Sequence, residues 1–446
     1  TIIHLNKSKT PQLHEKMFSK ILTTFLAINA IVVQSVEISG SPKGQRRAAG
    51  RKLEDTNEGK GKGKGQPGKG NSFCGKAGKG KGNPPSLDAF CVEDDGLSCF
   101  GCGPSITSFT FMSETSIDAG TTFNGSVIGG ISAITYDTDL GLYYLLSDDT
   151  ETGKQRYYVA EIDEDTGSVE ITDVRYFRRP QGSFAMGDLD PQAFSYRSPG
   201  TIIMASGGTP PSVMEFDLAG TLLRYLLVPS YYSPNSDGTF GIRSDSGFQG
   251  VSVSPAGLDI WAANGGALAQ DGAVASLTEK SPVRIIKFDY ETGVPAEEYV
   301  YYTDTVAAAS TEVDGETMSG LTEIISLDDC GQVFLALERS YSAGVGYTCK
   351  LYEFSTCAAT DQGGMETIIG VSTGTFSEAF PESETVQKTL VADLAADFGV
   401  TPDNCEGMQI TTGDSGSKYL VMASDDNFSS DQTNQFLFFN IDGSFA

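Results

Sequence analysis

Ile131-Ser132-Ala133-Ile134, followed by a turn and a second apolar run ending at Ser147-Asp148, is the first copy of a motif that recurs five times. The other copies open at Pro191-Gln192-Ala193-Phe194, Phe248-Gln249-Gly250-Val251, Thr322-Glu323-Ile324-Ile325 and Cys405-Glu406-Gly407-Met408. Their second runs close at Ser206-Gly207, Ala263-Asn264, Leu337-Glu338 and Ser424-Asp425. Paired short apolar runs around turns read as antiparallel strands. Their recurrence means an array of sheet units that bury their faces against one another. Four-stranded blades around a central channel are the usual solution. The sequence therefore predicts an all-β chain, a β-propeller with five countable blades. The interval from Glu323 to Glu406 leaves room for a degenerate sixth near Met365 to Phe376. A strand at Ile106 to Phe111 is expected to close the ring by pairing with the C-terminal run Gln435 to Asn440, which removes the last exposed edge.

The repeat also predicts a site. The start of one strand and the end of its antiparallel neighbour lie on the same rim, so all ten positions should converge on one mouth of the channel. The fourth, fifth and first copies supply Glu323, Glu338, Glu406, Asp425, Asp148 and Asp149, and the second and third supply Gln192, Gln249 and Asn264. One arc of the mouth is expected to be acidic and the other to be lined by amides.

Charge and histidine narrow the chemistry. Twelve of the 31 Lys and Arg lie between Pro42 and Gly82, which gives that stretch +9 and residues 1–41 +2, against −27 for the whole chain. The remainder carries −38. A body that acidic repels nucleic acid and anionic membranes, so an anionic substrate needs a bridging cation. The two histidines are His4 and His14, ahead of Met17. From Met17 a lysine and the apolar run Ile21 to Val33 read as a secretory signal, too short to span a membrane. Residues 1–16 read as leader, 17–36 as signal peptide, 37–104 as a disordered linker rich in Gly and Lys and containing cysteines, and 105–446 as the propeller. A mature chain without histidine excludes Ser-His-Asp triads and histidine zinc sites. Eight cysteines suit an oxidising compartment, in two groups of four on either side of the first repeat. Export to the cell exterior or wall is the expectation. The alternating Gly59-Lys60-Gly61-Lys62 stretch cannot bury a core and reads as a linker or as an arm for an anionic matrix.

Carboxylates without histidine suit a hard cation, and calcium takes six to eight oxygen ligands. Asp148, Asp149, Glu323, Glu406, Asp425 and Asp426 are the expected calcium ligands. Glu323, Glu338, Arg339 and Glu406 are the expected catalytic residues. Arg339 could clamp a phosphoryl oxygen or pair with a neighbouring glutamate.

At Gly130-Ile131-Ser132, Asp190-Pro191-Gln192-Ala193, Gly247-Phe248-Gln249-Gly250, Leu337-Glu338-Arg339, Asn404-Cys405-Glu406-Gly407 and Ser424-Asp425-Asp426-Asn427-Phe428 the chain resembles the phytase-like family, the group named for the esterase-like activity of phytase. The resemblance runs from about Gly129 to the C-terminus. It implies a β-propeller, an active site built of acids, and phosphoester hydrolysis of a small phosphorylated substrate. Similar proteins usually carry Glu where this chain has Gln192 and Gln249, and often an acid near Asn264. Those departures leave two readings: a calcium-dependent phosphoester hydrolase, or a non-catalytic propeller that binds an extracellular ligand at the same mouth.

Overall fold

A computed structural model describes residues 105–244, 246–369, 380–413 and 415–444, together with the backbone of a short antiparallel pair, Cys91–Val92 with Ser98–Cys99. The leader, signal and Gly-Lys stretches lie outside the described residues. From Ile106 onward the chain is nearly all β, arranged as a five-blade propeller. Blade 1 is built from Ile131–Asp137, Leu142–Ser147, Arg156–Asp163 and Ser168–Tyr176. Blade 2 is Pro191–Arg197, Thr201–Ser206, Ser212–Asp217 and Leu222–Tyr225. Blade 3 is Phe248–Val253, Asp259–Asn264, Pro282–Asp289 and Pro295–Tyr302. Blade 4 is Thr317–Ser326, Val333–Ser342, Gly346–Ser355 and Gln387–Asp393. Blade 5 takes Cys405–Thr412, Lys418–Ser424 and Asn434–Gly443 from the C-terminal end, and its outermost strand, Ile106–Ile117, from the other. The closing strand is thus the expected one, extended by six residues.

Each blade is a meander of antiparallel neighbours, so its hydrogen bonds are local and only its faces need partners. Five apolar clusters fill the five gaps between successive blades. The gap between blades 5 and 1, for example, holds Ile131, Leu145, Val421 and Phe436. Blades 4 and 5 meet through Leu335, Leu351, Leu420 and Phe439. No sixth blade forms among the described residues. Of the stretch Met365 to Phe376, where one was envisaged, residues 370–376 lie outside the described residues. The segment Gln362–Ile368 packs onto blade 3, where Arg284 donates to the Met365 carbonyl at 2.7 Å and Asp271 accepts from the Ile368 amide at 3.1 Å.

The first strands of successive blades are neighbours around the channel. Their inward hydroxyls stitch them together. Thr135 accepts from the Tyr196 amide at 2.8 Å, Ser195 from Val253 at 3.2 Å and Ser252 from Ser326 at 2.9 Å. The approach is close enough that a Cβ on Gly407 would lie 2.8 Å from the Ile134 nitrogen, so small residues recur there for steric reasons.

Candidate functional site

Every first strand carries a bulge at its beginning, and the bulge sets the geometry of the mouth. The irregularities fall between Ile131 and Ala133, Pro191 and Ala193, Phe248 and Gly250, Leu321 and Glu323, and Cys405 and Gly407. The bulged residues are therefore Ser132, Gln192, Gln249, Thr322 and Glu406. Ile131 pairs with Ser147, Phe248 with Asn264, Leu321 with Glu338 and Cys405 with Ser424. The residues that follow these partners are Asp148, Gly265, Arg339 and Asp425.

This register corrects the expected alignment of the third and fourth copies. In the fourth copy Thr322 occupies the bulge, and Glu323 sits one residue deeper, at the level of Ala133, Ala193, Gly250 and Gly407. A one-residue slip in a strand sends a side chain elsewhere. Glu323 is 2% exposed and accepts from the Val251 and Ile324 amides at 3.0 and 2.9 Å. It lines the cavity formed by the C-terminal halves of the first strands, at the other end of the channel. Burial holds its carboxyl well above the usual range, against those two backbone bonds. Glu338 lies between blades 3 and 4, accepting from the Lys388 ammonium, the Tyr301 hydroxyl (2.6 Å) and the Asp304 amide (2.7 Å). Asn264 is fully buried; it donates to the Gly266 carbonyl and accepts from the Arg284 amide at 2.8 Å. None of the three lines the cavity at the mouth.

That cavity, about 490 Å³, is where the other expected residues meet. Its acids are Asp148, Asp190, Glu406 and Asp425, with the exposed Glu316 at its edge, and Arg339 is the one basic side chain lining it among the described residues. Arg339 reaches across from blade 4 and donates to both Glu406 and Asn404. Both members of the ion pair are largely enclosed, with side chains 11% and 12% exposed. On the opposite wall Gln249 donates to Gln192 at 2.7 Å, and Gln192 donates to Asp190 at 3.0 Å. The buried and part-buried acids therefore come from blades 5, 1 and 2, and blade 4 contributes the exposed Glu316 in place of the expected Glu323 and Glu338. Asp190 was missed as a site residue. The signal was available: Asp190 stands two residues before the bulged Gln192, as Asn404 stands two before Glu406.

Asp149 and Asp426 flank the cavity in supporting roles. Asp149 accepts from Arg156 at 2.6 Å. Asp426 accepts from the Gly130 and Phe428 amides at 2.8 and 3.0 Å and from Asn434 at 2.9 Å, and so fastens blade 5 to blade 1. Asp425 is 1% exposed and accepts from the Asn427 amide at 2.7 Å. A disulfide between Cys349 and Cys405 ties blade 4 to the residue beside Glu406.

The electrostatics record a shortage of positive charge. Burial, then the charges of Glu406, Asp190, Asp149 and Asp426, push the Asp148 carboxyl up to about 8. Burial, with Glu406 and Asp148, drives Asp425 well above its ordinary range. Hard oxygen donors carrying excess negative charge fit a calcium ion in chemistry. No group of three or more His, Cys, Asp or Glu side chains among the described residues converges as a ready-made metal cage. The fit is thus one of donor type and charge, with side chains that would have to close in.

A family model described as phytase-like, esterase-like activity of phytase, matches residues 126–428. The chain belongs to the phytase-like family. The match begins just ahead of blade 1 and ends at Phe428, so it takes in every residue of the mouth cavity. Among curated proteins none matches the chain. Among solved structures, a protein of unknown function from Bacteroides caccae aligns at 9% identity with a TM-score of 0.27. That alignment covers 63% of this chain and spans 65% of the other's length, and it carries no argument. No helix among the described residues of this phytase-like chain is long and apolar enough to cross a membrane.

Proposed function

We propose that this phytase-like chain is an exported, calcium-dependent phosphoester hydrolase whose reaction takes place in the 490 Å³ cavity at the mouth of the channel. The observation that carries the reading is the gathering of five carboxylates, Asp148, Asp190, Glu316, Glu406 and Asp425, with a single arginine around one cavity. Asp148, Asp190 and Asp425 would hold the ion, with Glu406 beside them. When bound, calcium would neutralise the acids and polarise the phosphoryl group. Arg339, already oriented by Glu406 and Asn404, would present its remaining N–H groups to a phosphoryl oxygen. The amide chain Gln249–Gln192–Asp190 fixes the far wall without adding charge. Disulfide bonding and the acidic body support an extracellular setting.

Two measurements test the reading. Thermal melting with calcium and with chelator should differ, and the gap should widen as pH rises from 5 to 8. The sign follows from Asp148 and Asp425. Their raised values in the folded protein contribute stability below the ordinary carboxylate range, and that contribution is lost as pH rises through about 8. Calcium offsets the loss by favouring the ionised forms. At ~100 times its dissociation constant it adds ~2.7 kcal/mol. Superimposable melts at every pH would remove the metal. Second, Glu406→Gln should lower both calcium affinity and hydrolysis by at least about tenfold, ~1.4 kcal/mol. Unchanged hydrolysis would sink the mechanism and favour the non-catalytic reading.

A further inference from the structure

A second cavity, of about 740 Å³, adjoins the first and shares Asp148, Asp190 and Asn427 with it. The side chain that distinguishes it is Phe428. Phe428 is 43% exposed, one of the large apolar residues that the fold leaves open to solvent. Nothing about its backbone is relaxed. Asn427 and Phe428 both adopt left-handed conformations, at φ 48° and 52°. For a residue with a Cβ that conformation is costly, and two in succession persist only when the surroundings enforce them. The enforcement is visible: Asp425 accepts from the Asn427 amide and Asp426 from the Phe428 amide.

The seat for the ring is equally specific. A Cβ on Gly130 (φ 63°) would lie 2.5 Å from the Phe428 ring and 2.3 Å from the Asp148 carboxylate. Glycine is therefore required for the ring and the acid to stand side by side. Arg156 lies 5.7 Å from the ring centroid, but its charge is spent on Asp149 and on the Val127 and Lys154 carbonyls. The remaining lining includes Tyr176 and Val127, with Glu151 paired to Lys154. An aromatic platform in a cavity whose charges are already matched or acidic does not suit an anion.

We infer that this cavity receives the leaving-group side of the substrate and that it selects an uncharged aromatic alcohol, with Phe428 as the residue that sets the preference. The assignment rests on the hydrolase reading, in which the phosphoryl group sits by Arg339; the leaving group then extends past the shared Asp148 and Asp190 into this cavity. An aromatic pair of this kind attracts beyond the area it buries, because ring edges and faces carry complementary partial charge.

The test compares kcat/KM for benzyl phosphate and ethyl phosphate, with calcium, in the wild type, Phe428→Ala and Phe428→Leu. Thermal melts confirm that each variant folds, and leucine keeps apolar bulk should alanine fail. The benzyl-to-ethyl ratio is expected to fall about tenfold in both variants. Cyclohexylmethyl phosphate should respond less than the benzyl ester. An unchanged ratio, or an equal response from the cyclohexylmethyl ester, would overturn the assignment. If the wild type hydrolyses none of the three esters, the hydrolase reading fails by itself. Saturation-transfer NMR with benzyl alcohol then decides the cavity: binding lost in Phe428→Leu supports the aromatic site, and no binding to the wild type removes it.

Discussion

Replacing Arg284 with methionine is expected to cost about 3–5 kcal/mol of folding stability, the largest effect of any single change in the propeller. Arg284 stands on the third strand of blade 3 and is fully buried. Its guanidinium donates to Asp271 at 2.6 and 2.9 Å, to Glu298 at 3.0 Å and to the Met365 carbonyl at 2.7 Å. Tyr231 and Tyr232 donate to the same Glu298, at 2.5 and 2.8 Å. Burial pushes Glu298 upward, and Arg284 is the largest opposing influence. Methionine fills the volume but leaves two acids buried without a counter-charge. Removing one partner of a buried ion pair costs far more than the intact pair contributes. The loss should shrink in acid, where orphaned carboxylates take up protons. Urea unfolding at pH 5 and pH 8 measures both statements. A cost under about 1 kcal/mol at pH 8 would mean that the cluster is not the joint between blade 3 and the Gln362–Ile368 segment.

How much of this was legible beforehand differs between fold and site. Five copies of a two-strand motif specified five blades because each blade is local in sequence. The closing strand was legible from an unpaired apolar run at each end of the propeller. The mouth was half legible. Asp148, Glu406, Asp425 and Arg339 fall where the repeat put them or one residue away. Glu323 and Glu338 do not, for one physical reason. A β-bulge inserts a single residue, and Thr322-Glu323 offers two adjacent polar residues, either of which could be bulged. Period-two alternation cannot choose between them. Pairing settles it: Leu321 faces Glu338, which turns Glu338 toward Lys388 and leaves Arg339 at the mouth. The third copy slipped in the same way, where Asn264 faces Phe248 and the mouth position falls to Gly265. Asp190 carried part of the family resemblance but was not expected at the site, because it precedes the motif rather than opening it.

The corrected register makes Arg339 the side chain with most at stake in catalysis. It alone brings positive charge to the lining of the mouth cavity among the described residues, against Asp148, Asp190, Glu316, Glu406 and Asp425. If the chain hydrolyses phosphoesters, Arg339→Met should lower kcat/KM by about 10²–10³, the usual consequence of losing one preorganised donor at a developing anion. The same change should affect calcium in the opposite direction. Glu406 spends an oxygen on Arg339, and Asn404 spends its amide oxygen there too. Methionine frees both and removes a like charge from the vicinity of the ion, so calcium should bind several-fold more tightly while turnover collapses. Calorimetric titration with calcium, alongside steady-state kinetics on benzyl phosphate, separates the two effects. A merely structural arginine would lose stability and weaken both together. If Arg339→Met left hydrolysis within about twofold of wild type, the arginine would have no part in the transition state. The acids of the mouth cavity would then have to act on a substrate that carries no phosphate charge, and a carboxylic ester or lactone would become the class to assay.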